Sequence, residues 1–243
     1  MTTVDGVLLD VDDTLVDTRA AFEAALAEVA RVYLPEVGEA RLAEVVMTWR
    51  ADSGGWYRRY TRGEVGYVEQ RRARANELHD LFGGPALDGD GFARWDAVFE
   101  AAFEDAWRAH DDAVATVAAL VGRGLAVGAL TNAAVGYQTR KLERAGLEQV
   151  PVLVGMDTLG VGKPDERVFH EACRRLGTDP ARTVYVGDEL DIDAVAAVRA
   201  GLVGVWLDRP GTRRHVVPEA EIAAARSVGV HVVATLDALD GVV

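Results

Sequence analysis

The most regular feature of this chain is an alternation between short apolar runs and longer amphipathic segments. Most of the runs are continuously apolar, as expected for parallel strands that are buried on both faces. They cover residues 4–10, 125–131, 151–155, 183–188 and 203–208 and, less clearly, 230–235. The segments between them repeat apolar residues at intervals of three and four, with a glycine shortly after the end, which is typical of helices. These helical segments are residues 111–124, 135–146, 165–177 and 191–201. The alternation predicts an α/β fold with a doubly wound parallel sheet of five or six strands.

Residues 17–110 interrupt this alternation. They contain almost no strand-like runs but several long amphipathic patterns, such as 18–34 and 91–110. Most of the chain's aromatic residues also lie in this segment, which indicates an apolar core of its own. We therefore predict two domains, an α/β core formed by residues 1–16 and 111–243 and an inserted all-helical module formed by residues 17–110.

Composition narrows the class of protein. With 243 residues and 49% apolar content, the chain can bury a substantial core. Because no apolar stretch approaches the ~20 residues of a membrane span and no signal peptide is recognisable, we expect a soluble, cytoplasmic protein with no membrane partner. The formal net charge of -13 argues against nucleic acid as a partner, since phosphates require a basic face. The single cysteine, Cys173, is expected to be a buried packing thiol.

Polar residues stand at the ends of four predicted strands. The first apolar run lies in the stretch "GVLLDVDDTLVDT". Directly after the apolar residues, this stretch places Asp10, Asp12 and Asp13 within four residues. The ligand crevice of an open parallel sheet lies at the carboxyl ends of its strands, so these groups should meet there with those that follow the later strands. The later groups are Thr131, Asn132, Lys163, Asp188, Asp191 and Asp193.

This set of side chains predicts magnesium-dependent chemistry. Carboxylates so close together repel unless a cation neutralises them, and hard oxygen ligands are those that Mg²⁺ prefers. We expect Asp10 and Asp188 to bind the ion, and Lys163 to offset the remaining repulsion. A carboxylate in such a place can act as a covalent nucleophile, and a second one two residues later can act as acid and then base. The chain must turn after Asp10 to bring Asp12 beside it. For Asp13 alone, a role as a turn or helix cap is favoured.

Four motifs in this order resemble those of the haloacid dehalogenase superfamily of phosphohydrolases, in its subgroup with a helical cap inserted after the first motif. They are "LLDVDDTLV", "VGALTN", "GKP" and "VGDELDID". The resemblance spans the core from residue 4 to about 208. The inserted module resembles the caps of the family only in being a helical insertion at this place in the chain. It implies a Rossmann-like core with an all-helical cap and a phosphatase with Mg²⁺ as cofactor.

The resemblance also implies a role for each matching residue. Asp10 would be the nucleophile that forms an aspartyl-phosphate, and Asp12 the general acid and base. Thr131 and Lys163 would bind the transferring phosphoryl group, with Asn132 near it. Thr14 would brace the loop behind the nucleophile. The metal would be held by Asp10, the backbone carbonyl of Asp12, and Asp188, with support from Asp193.

Several alternatives remain open on the sequence. The carboxylate of Asp12 argues against a dehalogenase, which protonates no alkoxide. A phosphomutase would carry the same four motifs, and an inactive binding module is disfavoured because no catalytic residue is lost. The substrate is expected to be a small phosphorylated metabolite, such as a nucleotide or a sugar phosphate, and the protein a monomer or homodimer.

Arginines at positions 58, 59, 62, 71, 72 and 74, interleaved with aromatic residues, could hold an anionic or aromatic leaving group. The alternative, which we favour, is a solvated helix face paired with neighbouring glutamates.

Overall fold

The computed structural model describes residues 4–213 and 216–243. Six strands form one sheet in the order β3-β2-β1-β4-β5-β6, and all neighbouring strands are parallel. They are β1 (Gly6–Leu9), β2 (Ala126–Leu130), β3 (Val152–Val154), β4 (Thr183–Gly187), β5 (Val203–Leu207) and β6 (His231–Val233). Each strand lies within the apolar run that predicted it, so the predicted α/β fold is confirmed.

The chain divides into two compact units. One contains the residues up to Asp17 together with Arg108–Val243, and it holds the sheet. The other is Thr18–Trp107 and contains only helices and turns. Its helices are α1 (Thr18–Tyr33), α2 (Leu42–Ala51), α3 (Trp56–Thr61), α4 (Tyr67–Phe82) and α5 (Gly89–Asp105).

The core of the helical unit is aromatic. Trp95 and Phe99 are fully buried on α5, and their rings stack with centroids 5.3 Å apart. Trp49 of α2 packs against both, with centroid distances of 5.7 and 5.5 Å. The aromatic residues concentrated in this segment therefore serve largely as its packing core.

The helices of the other unit cover both faces of the sheet. They are α6 (Ala113–Gly122), α7 (Val135–Arg144), α8 (Met156–Leu159), α9 (Glu166–Leu176), α10 (Ala196–Arg199) and α11 (Glu219–Ser227). Val7 and Leu9 of β1 belong to one buried apolar cluster, which includes residues of α6. Leu8, between them, belongs to another, which includes residues of α9 and α10. Burial of alternate residues on opposite faces explains why β1 is apolar throughout.

The segment predicted as one regular helix over 191–201 differs from that prediction. Its first part, Leu190–Val195, is a π-helical turn, in which the amide of Ala194 donates to the carbonyl of Glu189. A regular α-helix begins only at Ala196. Such wide turns are rare and occur frequently at functional sites.

No helix in the described part of the chain combines the length and the apolar character needed to cross a bilayer.

Candidate active site

Three of the predicted site segments lie side by side in the sheet. Asp10 directly follows β1, Thr131 follows β2 and Asp188 follows β4, and β1 pairs with both β2 and β4. From β1 the sheet continues to β3 on one side and to β6 on the other. The polar residues therefore stand at the topological switch point, where open parallel sheets bind their ligands.

Lys163 occupies the centre of this group. Its side chain is 3% exposed, and it comes from the loop between α8 and α9. The ammonium contacts Asp10 Oδ1 at 2.8 Å, Asp193 Oδ1 at 2.6 Å and the Tyr185 hydroxyl at 2.8 Å. Burial alone would lower the pKa of Lys163, but Asp10 and Asp193 raise that pKa well above its ordinary value. The lysine is therefore a fixed positive charge with all three donors engaged.

The carboxylates around Lys163 outnumber it. Asp10, Asp188 and Asp193 each offer one oxygen, and these oxygens lie within 4.8 Å of one another. Burial and, to a smaller extent, the neighbouring Asp193 raise the pKa of Asp10 to about 7, and Lys163 only partly offsets this rise. Burial and the neighbouring Asp13 also raise the pKa of Asp188 well above its usual range. When these carboxyl groups are ionised, the cluster therefore carries more negative charge than Lys163 alone neutralises.

The donor set fits a divalent cation. Three carboxylates face one ammonium, so two negative charges remain to be neutralised when all three are ionised. Clustered carboxylate oxygens suit Mg²⁺, which commonly uses one or two carboxylates and fills its other positions with water and substrate oxygens. Asp10, Asp188 and Asp193 are therefore the residues that could hold the ion.

Two glycines allow the backbone to approach this group closely. A Cβ atom at Gly187, the last residue of β4, would lie 2.3 Å from Asp193 Cγ. A Cβ atom at Gly162 would lie 2.3 Å from Asn132 Oδ1. Any side chain at either position would displace a site residue, which gives the "VGD" and "GKP" motifs a steric reason for their glycines.

Asp12 lies in the turn that follows β1. The amides of Leu15 and Val16 both donate to the carbonyl of Val11, and Asp13 adopts a left-handed φ of 58°. The predicted turn after the first strand is thus present. The Asp12 side chain is 36% exposed, and its negative charge is close enough to Asp10 to raise the pKa of that carboxyl.

Thr131 and Asn132 have different surroundings. The buried Thr131 hydroxyl oxygen accepts from the Ala133 amide at 3.2 Å and from Gln138 Nε2 at 3.0 Å. The Asn132 side chain instead holds the backbone of Lys163, accepting from its amide at 2.6 Å and donating to its carbonyl at 3.0 Å. Asn132 therefore positions the loop that carries the lysine, and its predicted contact with substrate stays a prediction.

Two other predicted residues lie apart from the cluster. Asp191 is exposed and is not among the grouped carboxylates. Thr14 is fully buried, and its hydroxyl has no hydrogen-bond partner among the described residues. The loop is held at this point by the Thr14 carbonyl, which accepts from Arg209 at 3.1 Å.

Sequence reasoning missed three buried polar residues of the site. Tyr185, in the middle of β4, donates its hydroxyl to Asp193 Oδ1 at 3.0 Å. Gln138 and Lys141 of α7 contact the Asp12 carboxylate at 2.5 and 2.6 Å. Two features of the sequence could have indicated them. Tyr185 places a phenol in a strand that is buried on both faces, and Gln138 and Lys141 form a polar pair at i, i+3 on an amphipathic helix.

The arginines of the helical unit fall into two sets. Arg71 and Arg74 have side chains only 7 and 12% exposed. Arg71 pairs with Asp96 and Glu100, and the Arg74 guanidinium lies 4.1 Å from the centre of the Trp49 ring. These two arginines are part of the unit's core.

The remaining four arginines lie nearer the surface. Arg62 pairs with Glu64 at 2.6 Å and Arg59 with the same carboxylate at 3.7 Å. Arg58 and Arg72 are exposed. Exposed pairs of this kind contribute little to stability.

Comparison with known proteins yields one consistent family. The family model for haloacid dehalogenase-like hydrolases matches residues 4–201. A glyceraldehyde 3-phosphate phosphatase of Methanopyrus kandleri is 40% identical over 101 residues, which make up 41% of this chain and 43% of that protein. A ribulose-1,5-bisphosphate 5-phosphatase of Halopiger xanaduensis is 30% identical over 98% of both chains. The crystal structure of the HAD hydrolase YfnB from Bacillus subtilis, bound to magnesium, superposes with a TM-score of 0.75 over 99% of this chain and 98% of that one, at 21% identity.

Proposed function

Since this chain belongs to the haloacid dehalogenase-like hydrolases, we propose that it is a Mg²⁺-dependent phosphatase that hydrolyses a small phosphorylated metabolite through an aspartyl-phosphate. That it is a hydrolase acting on phosphate monoesters follows from the family and from its phosphatase relatives. The observation that carries the finer proposal is the buried Lys163 ammonium between Asp10 and Asp193, with Asp188 as a third carboxylate.

Asp10 is the proposed nucleophile. One of its carboxylate oxygens attacks phosphorus, a new O–P bond forms, and the bond from phosphorus to the leaving oxygen breaks. Lys163 holds Asp10 Oδ1, which fixes the carboxylate and leaves its second oxygen for the attack. Bound Mg²⁺ would supply positive charge to the ionised carboxylates and to the phosphoryl oxygens.

Asp12 is the proposed general acid and base. It gives its proton to the leaving oxygen in the first step. In the second step it removes a proton from the water that attacks phosphorus, and the bond between Asp10 and phosphorus breaks to release phosphate. The Thr131 hydroxyl binds a phosphoryl oxygen during both steps. The Lys163 ammonium, whose three donors are engaged by Asp10, Asp193 and Tyr185, offsets the negative charge of the phosphoryl group.

The first experiment measures hydrolysis of 4-nitrophenyl phosphate with Mg²⁺ and with excess chelator. We expect activity only with the metal, loss of activity in Asp188→Asn, and no covalent intermediate in Asp10→Asn. Asp191→Asn is the matched control, because Asp191 is exposed and outside the cluster, and it should retain full activity. Full activity in chelator, or a normal burst in Asp10→Asn, would contradict the proposal.

The substrate class proposed is a sugar phosphate. The relatives from Methanopyrus kandleri and Halopiger xanaduensis are named for glyceraldehyde 3-phosphate and ribulose-1,5-bisphosphate, which supports this class. A panel of sugar phosphates, nucleoside monophosphates and small acid phosphates, assayed for released phosphate, tests it. Higher kcat/KM on nucleoside monophosphates than on every sugar phosphate would reverse the choice.

We propose that Arg58, Arg59 and Arg62 form a solvated face, as favoured from the sequence, since Arg59 and Arg62 already pair with Glu64. The alternative is that they hold the leaving group, and replacing all three by Gln would then weaken use of the preferred substrate at least about 10-fold more than use of 4-nitrophenyl phosphate. Arg41→Gln is the matched control, since Arg41 is an exposed arginine paired with Glu44 in the same unit. If both substrates respond equally, these arginines form only a solvated face.

A further inference from the structure

The polar pair on α7 converges on one carboxylate. Gln138 and Lys141 are 0 and 2% exposed, although polar side chains of this size are rarely buried without a partner. Lys141 Nζ lies 2.6 Å from Asp12 Oδ1, and Gln138 Nε2 lies 2.5 Å from Asp12 Oδ2. Each oxygen of the carboxylate is therefore held by a different buried donor, which fixes both the position of the group and the plane in which it lies.

Gln138 also acts on a second site residue. Its Nε2 donates to the Thr131 hydroxyl oxygen at 3.0 Å, and the Ala133 amide donates to the same oxygen at 3.2 Å. A hydroxyl has two lone pairs and one proton. Because both lone pairs accept hydrogen bonds, the Thr131 proton is left to donate, which is the arrangement needed to bind a phosphoryl oxygen.

We infer that Gln138 and Lys141 form a buried clamp that positions Asp12 for proton transfer to the leaving group and orients the Thr131 hydroxyl as a donor. This inference rests on the proposed function, because it assigns Asp12 the role of general acid. Both clamp residues act through another side chain, so they are positioning residues. Gln138 contacts both Asp12 and Thr131, so one side chain links the proposed acid to the phosphate-binding threonine.

A leaving-group comparison separates the clamp from a merely structural pair. Phenyl phosphate and 4-nitrophenyl phosphate have nearly the same shape, but phenoxide is much the more basic leaving group and depends more on protonation. The parameter to compare is kcat/KM, which reports steps up to departure of the leaving group. We expect Lys141→Met to lower kcat/KM about 100-fold on phenyl phosphate and less than about 10-fold on 4-nitrophenyl phosphate.

The effect should also pass through Asp12. In an Asp12→Asn background, the further change Lys141→Met should lower kcat/KM less than about 2-fold, because the group that the lysine positions is already removed. Gln138→Met should lower kcat/KM on both phosphates, since it also releases the Thr131 hydroxyl. Arg140→Met is the matched control, because Arg140 is an exposed cation on the same helix, and both substrates should react as with wild type.

The possible failures are distinguishable. A wild type that hydrolyses neither phosphate contradicts the proposed function and the clamp together. An active wild type with equal losses on the two phosphates in Lys141→Met, or with full additivity in the Asp12→Asn background, overturns the clamp alone. If Lys141→Met does not fold, as judged by its melting transition, Lys141→Gln keeps a polar group at the position and is subject to the same two criteria.

Discussion

The hydroxyl of Tyr185 offers a direct test of the buried charge network. The change Tyr185→Phe removes one oxygen atom and keeps the ring, which packs edge-on against Phe169 with centroids 5.0 Å apart. The hydroxyl donates to Asp193 Oδ1 at 3.0 Å and accepts from Lys163 Nζ at 2.8 Å. Both bonds involve an ionised partner, and neither partner can reach bulk water from its buried position.

The expected cost follows from these two bonds. A hydrogen bond to a charged group contributes about 1.5–3 kcal/mol, and a buried group left without a partner adds to the loss. Lys163 and Asp193 also contact each other directly, at 2.6 Å, so the two contributions do not simply add. We expect the free energy of unfolding to fall by about 2–3 kcal/mol, which lowers the melting temperature by about 5–10 °C in a protein of this size.

Urea titration followed by circular dichroism measures the change. The matched control is Tyr33→Phe, because Tyr33 is half-buried and its hydroxyl has no hydrogen-bond partner in the described part of the chain. That variant should stay within about 0.5 kcal/mol of wild type. If Tyr185→Phe changes as little as the control, the hydroxyl contributes nothing and the reasoning from the Lys163 network is refuted.

Three further perturbations follow from the same geometry. Burial, only partly offset by the lysine, raises the pKa of Asp10 to about 7, so in the metal-free protein this carboxyl stays protonated between about pH 4 and 7, where it is ionised in the unfolded chain. Its contribution to the free energy of unfolding should therefore fall by up to about 4 kcal/mol as pH rises through this window. Urea titrations of wild type and Asp10→Asn at several pH values measure this, since the difference between the two isolates Asp10, and a difference that does not change with pH would contradict it. Gly187→Ala places a methyl group 2.3 Å from Asp193 Cγ, so it should cost about 1–3 kcal/mol and most of the phosphatase activity; a stable, fully active variant would show that the carboxylate can move aside. Arg71→Ala removes the guanidinium that pairs with the partly buried Asp96 and Glu100 and should lower stability by about 3 kcal/mol in the same titration, whereas a change below about 1 kcal/mol would mean that solvent replaces the guanidinium.

The strands were predictable from sequence because of how the sheet is covered. Helices lie on both faces, so Val7, Leu8 and Leu9 are all buried, and continuous apolar runs are their direct consequence. Polar residues directly after such runs are conspicuous for the same reason. The sequence alone therefore predicts that Asp10 and Asp188 lie at one edge of the sheet.

The residues that escaped prediction are those whose partners are distant in sequence. Helical periodicity shows that one face of α7 is apolar, but it does not show that Gln138 and Lys141 point toward Asp12 rather than toward solvent. The π-helical turn has a similar cause. The Asp193 side chain accepts a hydrogen bond from the amide of Glu189 at 3.0 Å, and helix propensities do not take such side-chain bonds into account. In the helical unit, the burial of Arg71 depends on acids of another helix.

The position of β1 has a consequence for synthesis of the chain. β1 is made first, yet it is a central strand whose two neighbours, β2 and β4, begin only at Ala126 and Thr183. At the usual translation rate of 5–20 residues per second, the ribosome completes the second of these partners roughly 10–35 s after β1. During that interval the helical unit can already fold, because Thr18–Trp107 is continuous in sequence. The nascent chain therefore carries an unpaired apolar strand throughout this interval, and exposed apolar strands of this kind are prone to aggregation.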